Sequence, residues 1–590
     1  MIHFPKRRPA RSWILLKLIA TCLLGGQTEA ARPNVIVLLT DDQGYRDLAC
    51  TGNEIIRTPH LDRLHAESVR LTDFHVNSVC SPSRAALLSG RYASAVGVWH
   101  TLGGRDLMSA DAVIMPQVFA ANGYRTLMVG KWHLGDNYPF RPEDRGFEKV
   151  YRIGGGSPGQ IADYWGNGIF DTHYWTGKNW EESKGFCTDT QFDRVLQFLA
   201  DKGDDRPFFI YLSTTAVHSP IGAPDEYLQM YDGLSKELRS FYGMVSNLDW
   251  NVGRLRSALD DLGLSENTLL IYLSDNGSAC DKKGTAGAYN AGMRGKKGSQ
   301  YEGGHRVPCF IHWPAGGFPQ AADVTQLTAH IDLLPTLAHA CELGIPANEE
   351  WDGTSLLPLL RNPDAEFPSR TLVTEAKVNK RERPFDSGVV MRGSKRLVNR
   401  GTELYDIIHD PSQKTDVSST SPELVRQMRS AYEKWYRSLA PSFAKIPSII
   451  IGSPKANPAR LTAMDVHTTK DIAGGKTVWN QKGVQQGAHN RGVWELTVAE
   501  AGDYRISLQR WPSESGLRFR DTPHKARAAE YREARIQIAD HQLTQPIDSN
   551  SQSVDFHVRL KTGPTQLDAV LIESDDSITT AYFVTIEHLK

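Results

Sequence analysis

The stretch NSVCSPSRAALLSGRY, residues 77–92, places Cys80 directly before Ser-Pro-Ser-Arg and a small-residue run with the texture of a helix. A residue at the mouth of such a helix meets free backbone N–H groups and the positive end of the helix dipole, both of which favour an anion. Cys80 therefore reads as a nucleophile or the precursor of one, against the plainer readings of a buried small hydrophobe or half of a disulfide. Four short apolar runs also end in polar chemistry. Asp41-Asp42 follows NVIVLL (34–39), and Lys131-Trp-His133 follows RTLMVG (125–130). His218 stands five residues beyond PFFIYLS (207–213), and Asp275-Asn276 follows TLLIYLS (268–274). One such ending is ordinary turn or cap chemistry; four in one sheet point to a site.

Three carboxylates and an amide converging on one spot repel one another unless a cation joins them. They are hard oxygen ligands, which suits calcium or magnesium and not zinc. Lys131, His133, His218, Arg84 and a lysine of GKKGSQYEGG (295–304) add positive charge and proton carriers. Such a set suits an anionic, tetrahedral substrate, a phosphate or sulfate ester, whose charge must be neutralised before attack.

The elements that must position these residues follow from periodicity. The four apolar runs are nearly unbroken, as in strands buried on both faces of a sheet. PHLDRLHAESV, RVLQFLADK and MVSNLDWNVGRLRSALDDLG, which lie between them, carry apolar residues at helical spacing. The alternation predicts an α/β fold with a mainly parallel sheet covered by helices on both faces. Ligands of such sheets bind beyond the carboxyl ends of the strands, where the polar endings fall. SGVVMRGSKRLVNRGTELYDII (387–408) reads as a small antiparallel sheet, followed by a helix with Ser421 as N-cap and Pro422 at its first position. Beyond about residue 446 no helix is expected. GVWELTVAEAGDYRISLQRW (492–511) reads as a hairpin, and SVDFHVRL, DAVLIES and AYFVTIEHL as further strands of an all-β sandwich module. The expected division is a targeting segment at 1–30, a catalytic α/β domain at 31–370, its small antiparallel subdomain at 371–445, and the β module at 446–590.

The targeting segment rests on Lys6, Arg7, Arg8 and Arg11, the apolar WILLKLIATCLLGG and the small residues TEA before Ala31. The apolar run is short for a membrane span, so an exported protein, periplasmic or extracellular, is expected, with a retained N-terminal anchor as the alternative. A net charge of -1 gives no electrostatic case for nucleic acid or an anionic membrane. Cys50, Cys187, Cys280, Cys309 and Cys341 show no Cys-x-x-Cys spacing, against a structural zinc site, and leave any disulfide pairing open.

CSPSRAALLSGR (80–91) is similar to the signature of the type I, formylglycine-dependent sulfatases, of the alkaline phosphatase superfamily. LLTDDQGY, GKWHLG, SDNG and KKGSQYEGG occur in that family's order. The resemblance runs from about Asn34 to Ser438, and ELYDIIHDPSQKTDV resembles the family's smaller C-terminal subdomain. It implies a metal site of Asp41, Asp42, Asp275, Asn276 and modified Cys80, holding Ca2+ or Mg2+. It also implies a maturation enzyme that converts Cys80 to formylglycine (3-oxoalanine), whose hydrate attacks sulfur. His218 and Lys297 would assist the leaving oxygen, His133 would take the proton that restores the aldehyde, and Arg84 and Lys131 would hold residue 80 and the sulfate oxygens. Lys297 is preferred to Lys296 because the family places Lys-Gly two residues before Tyr-Glu-Gly-Gly. The substrate expected is a sulfated polysaccharide or oligosaccharide, or an aryl sulfate. Trp99, His100 and Arg105 of VWHTLGGR (98–105) are the pocket candidates. Two readings compete: a phosphate or phosphonate monoester hydrolase of the same superfold, and a carbohydrate-binding protein with an inactive enzyme domain. The second draws on the β module and on DYWGNGIFDTHYWTGKNW (163–180), whose aromatics either stack on sugars or pack an irregular loop. The oligomeric state stays open.

Overall fold

The computed structural model describes residue 1 and residues 32–201, 203–280, 290–347, 349–376, 385–467, 477–523 and 526–589. The expected targeting segment, Met1 apart, lies outside the described residues. The four apolar runs form neighbouring strands of one ten-stranded sheet: β1 (Asn34–Thr40), β2 (Arg125–Gly130), β3 (Phe208–Ser213) and β4 (Thr268–Ser274). Their order is β4-β1-β3-β2 and all four run parallel. Thr40 pairs with Ser274, Leu39 with Ser213, and Gly130 with Ser213. Four strands thus end on one edge of the sheet at nearly one level, which is the geometry that gathers a site.

Both faces of the sheet are covered. Val35, Val37 and Leu39 of β1 enter one core, and Ile36 and Leu38 the other, as the two-residue strand period requires. The first core is roofed by α1 (Cys80–Ser89) and the helix Leu333–Ala340. The second takes side chains from α2 (Cys187–Ala200) and α3 (Lys236–Asp261). A separate antiparallel sheet, Thr371–Glu375, Gly388–Arg392, Lys395–Val398 and Glu403–Asp406, packs under the helix Pro422–Phe443. Ser421 is the N-cap of that helix, but its hydroxyl makes no capping hydrogen bond.

The C-terminal residues form two antiparallel-rich sheets, of six and four strands, around a shared core. Two expectations fail here. Trp494–Val498 and Gly502–Gln509 are not a hairpin: the first pairs with Gly563–Glu573 in the larger sheet, the second with Phe583–Leu589 in the smaller. The connection at Ala499–Ala501 crosses between the layers, so both strands turn alternate apolar residues to one common core. A short helix, Gln481–Gln485, is also present, because Asn480 accepts from the Gly483 N–H at 2.8 Å and caps it. The module is joined to the α/β part by packing. Leu107 and Phe140 belong to the same core as Ile449 and Ile451, and the Ile450 N–H donates to the Tyr138 carbonyl at 3.0 Å. Among the described residues no helix is long and apolar enough to cross a membrane.

Candidate active site

α1 begins at Cys80, with Pro82 in its first turn, where the ring displaces no needed N–H. Every residue from Cys80 to Ser89 is buried, which small side chains allow, and Gly90 ends the helix in the left-handed region at φ 65°. Cys80 itself is 2% exposed. Its Sγ lies 3.6 Å from Asp41 Oδ1, 4.0 Å from Asp42 Oδ1 and 3.3 Å from Lys297 Nζ. Burial pushes the thiol up to about 12, against the pull of Lys131 and Lys297. At neutral pH the side chain is therefore a protonated thiol, a weak nucleophile as it stands.

The acids that end β1 and β4 are each held by a cation. Lys131, at the end of β2, reaches Asp41 Oδ2 at 2.7 Å. Lys297 reaches Asp42 Oδ1 at 2.5 Å. Arg84 lies one helical turn beyond Cys80 and is wholly buried. It donates through Nε and Nη2 to Asp275 Oδ2 at 3.0 and 2.7 Å, and through Nη1 to the Lys131 carbonyl at 3.0 Å and to Ser213 Oγ. Burial opposes the charge on Asp41, but Lys131, His218 and Arg84 outweigh it and hold the carboxyl well below its usual range. Asp275 moves the other way, to about 6, through burial and the neighbouring Asp41 charge. Burial also works against the charge of Lys297, yet Asp42 and its neighbours keep its pKa well above the ordinary lysine value.

Asp41, Asp42, Cys80 and His218 bring one ligand atom each within 4.8 Å of one another. Asn276 joins them by donating from Nδ2 to Asp42 Oδ1 at 2.8 Å, which leaves its Oδ1 buried with no partner. A buried amide oxygen without a donor is costly; beside three carboxylates it is the ligand a hard cation needs, so these residues fit calcium or magnesium. Gly277 follows because nothing larger fits: a Cβ there would lie 1.9 Å from the Gly303 carbonyl. The same turn positions Lys297, whose N–H donates to Ser278 O at 3.1 Å, while Gly298 N–H donates to Ser78 O at 2.8 Å.

The two histidines differ. His218 Nε2 lies 3.7 Å from Asp42 Oδ2, and its Nδ1 donates to Ser219 O at 2.6 Å. His133 Nε2 donates to Thr101 O at 3.1 Å, and its Nδ1 is buried without a partner. Burial, then Lys131 and Arg84, press His133 well below its usual pKa. A neutral ring that donates at Nε2 carries a lone pair at Nδ1. The 98–105 loop reaches the site through Thr101. Within it the Trp99 and His100 N–H groups donate to the Arg105 carbonyl, and the Arg105 guanidinium lies 4.7 Å over the Trp99 ring.

Ser213 was not among the candidates read from sequence, although it receives Arg84. The signal was available: β1, β3 and β4 all end on a hydroxyl residue, Thr40, Ser213 and Ser274. All six cysteines of the described residues are free thiols.

A family model described as Sulfatase matches residues 33–343. Arylsulfatase J of Mus musculus is 34% identical over 349 residues, covering 56% of this chain and 56% of that protein. N-acetylgalactosamine-6-sulfatase of Canis lupus familiaris is 32% identical over 377 residues, covering 60% of this chain and 70% of that one. The chain therefore spans little more than half of the first of these relatives. Among solved structures, Ps i-CgsB in complex with k-i-k-neocarrahexaose superposes with a TM-score of 0.62 at 28% identity, over 69% of this chain and 93% of that one.

Proposed function

The chain belongs to the sulfatase family, and from that premise we propose that it hydrolyses sulfate esters, with residue 80, converted to formylglycine, as the nucleophile. One observation carries the reading: Cys80 opens a buried helix with its sulfur between two carboxylates and Lys297, yet burial keeps it a poor thiolate. A site this polar around an inert thiol makes sense for a precursor. Ca2+, or Mg2+, held by Asp41, Asp42, Asp275 and Asn276, would supply charge neutralisation at the sulfate oxygens, and the aldehyde hydrate an attacking hydroxyl.

The chain's own residues do the rest. Arg84, Lys131 and Lys297 balance Asp41, Asp42 and Asp275, so a divalent cation leaves the pocket net positive and ready for an anion. Lys297 and His218 flank Asp42 on the side open to substrate, where an N–H can protonate the departing alcohol oxygen. His133, neutral and with Nδ1 unpartnered, can accept a proton there while Thr101 holds the ring. The names of the relatives, an arylsulfatase and an N-acetylgalactosamine-6-sulfatase, favour a sulfated carbohydrate or an aryl sulfate as substrate. The basic and apolar character of the first thirty residues supports export.

The test is expression with a formylglycine-generating enzyme. A peptide spanning residue 80 should lose about 18 Da relative to the thiol, whereas oxidation of the thiol would add mass. Aryl sulfate should turn over far faster than the matching phosphate and phosphonate esters, chelation should stop turnover and calcium restore it. Cys80→Ala with most of its activity intact, or a preference for phosphonate esters, would refute the reading.

A further inference from the structure

A cavity of about 360 Å3 lies where the β module meets the α/β part, a volume within the range of small-ligand pockets. Two loops connect its wall to the candidate active site. The segment carrying Lys131 and His133 runs on to Asp136–Tyr138 in one wall. The loop of Gly156, which abuts the His133 ring so closely that a Cβ would lie 2.3 Å from Cε1, runs on to Ile161–Asp163 in the same wall. The facing wall is Pro454–Thr462 with Ser513, Glu514 and Phe583 of the β module.

The aromatic stretch at 163–180 divides between two roles. Trp165 packs against Trp511 and Phe583 at the junction. Trp175 and Trp180, their rings 5.6 Å apart, instead line the cavity while remaining half-exposed. The charges are unequal as well. Asp136 is paired with Arg152 at 2.5 Å, and Asp163 accepts from the Gly154 and Gly159 N–H groups and from Asn167. Lys178, Lys455 and Arg460 are exposed and form no ion pair within 4 Å with a described residue, although the Arg460 charge acts on Glu514 beside it. Lys455 lies 5.9 Å over the Tyr138 ring.

Resting on the sulfatase reading for the class of ligand, we propose that this cavity is a second carbohydrate subsite. It holds a flanking unit of a sulfated oligosaccharide whose scissile sulfate occupies the active site. Trp175 and Trp180 offer apolar faces to a sugar ring, and Lys178, Lys455 and Arg460 receive its sulfate. The β module thereby completes a binding groove instead of hanging beside it.

Calorimetry on the full chain carrying Cys80→Ala, titrated with sulfated galactan and chondroitin sulfate hexasaccharides and their desulfated counterparts, tests this. At least one sulfated probe should bind, and its desulfated partner should bind about tenfold more weakly or worse. Adding Lys178→Ala, Lys455→Ala and Arg460→Ala should weaken the sulfated probe about tenfold, since exposed charge contacts contribute a few-fold each. The same three changes in the active enzyme should raise KM for the hexasaccharide and leave kcat in place. Binding unchanged by the triple substitution, equal binding of both forms, or no binding of either sulfated probe would overturn the proposal. A wild-type chain that turns over no aryl sulfate would instead refute the sulfatase reading, and the titrations would still judge the cavity.

Discussion

Replacing Arg84 by alanine should unfold the active-site edge of the sheet more readily than any comparable surface change. The guanidinium is fully buried and makes two hydrogen bonds to Asp275, one to the Lys131 carbonyl and one to Ser213. Removing one partner of a buried ion pair costs about 3–5 kcal/mol, because the remaining carboxylate stays buried without its charge partner. The orphaned carbonyl and hydroxyl add about 1–3 kcal/mol each where water cannot reach them. The space left by the side chain admits water, so a total of about 4–6 kcal/mol follows, a large share of the roughly 5–15 kcal/mol that stabilises a typical fold. With a urea slope of about 3 kcal/mol/M, the unfolding midpoint should fall by more than about 1 M. Tryptophan fluorescence reads this directly. Arg84→Lys, which keeps a charge near Asp275 but lacks the fork, should lose about half as much. A midpoint for Arg84→Ala within about 0.3 M of wild type would show that the buried pairing carries no such energy.

Gly156→Ala should place its Cβ against the His133 ring and lower kcat by about tenfold or more, since the imidazole must leave the Thr101 carbonyl, with the far-ultraviolet spectrum unchanged; an unaltered kcat would place His133 outside the proton transfer. Cutting the chain near Ser442 should expose Leu107 and Phe140, a loss of about 1.5–3 kcal/mol for each side chain, and lower Tm by on the order of 10 °C. A truncated chain with the wild-type Tm would mean that the module contributes nothing to the stability of the rest.

The parallel sheet was legible because β1 to β4 are short, unbroken apolar runs, and such runs have few other folds to enter. The gathering of Asp41, Asp42, Lys131, Asp275 and Asn276 followed from it, since parallel strands in register must end on one edge. Pairing was less visible. Which lysine meets which carboxylate depends on loop geometry, and neither the Lys131–Asp41 nor the Lys297–Asp42 contact has a sequence spacing that announces it. The 492–511 segment misled for a physical reason: an arch between two layers and a hairpin within one layer share the same alternation and the same short turn. The junction with the β module was invisible because Leu107 and Phe140 look like any other core residues.

The enclosure of α1 also sets an order of events. No residue from Cys80 to Ser89 is open to solvent, and the sulfur sits at the bottom of a ring of ion pairs. A second protein that has to grip the backbone around residue 80 finds no handle once the sheet has closed over it. On the proposed reading, conversion of that side chain would therefore have to precede folding, and a molecule that folds first would keep its thiol for as long as it stays folded. Speed of folding and speed of maturation would then be in direct competition, and the converted fraction of a preparation would record which of the two ran ahead.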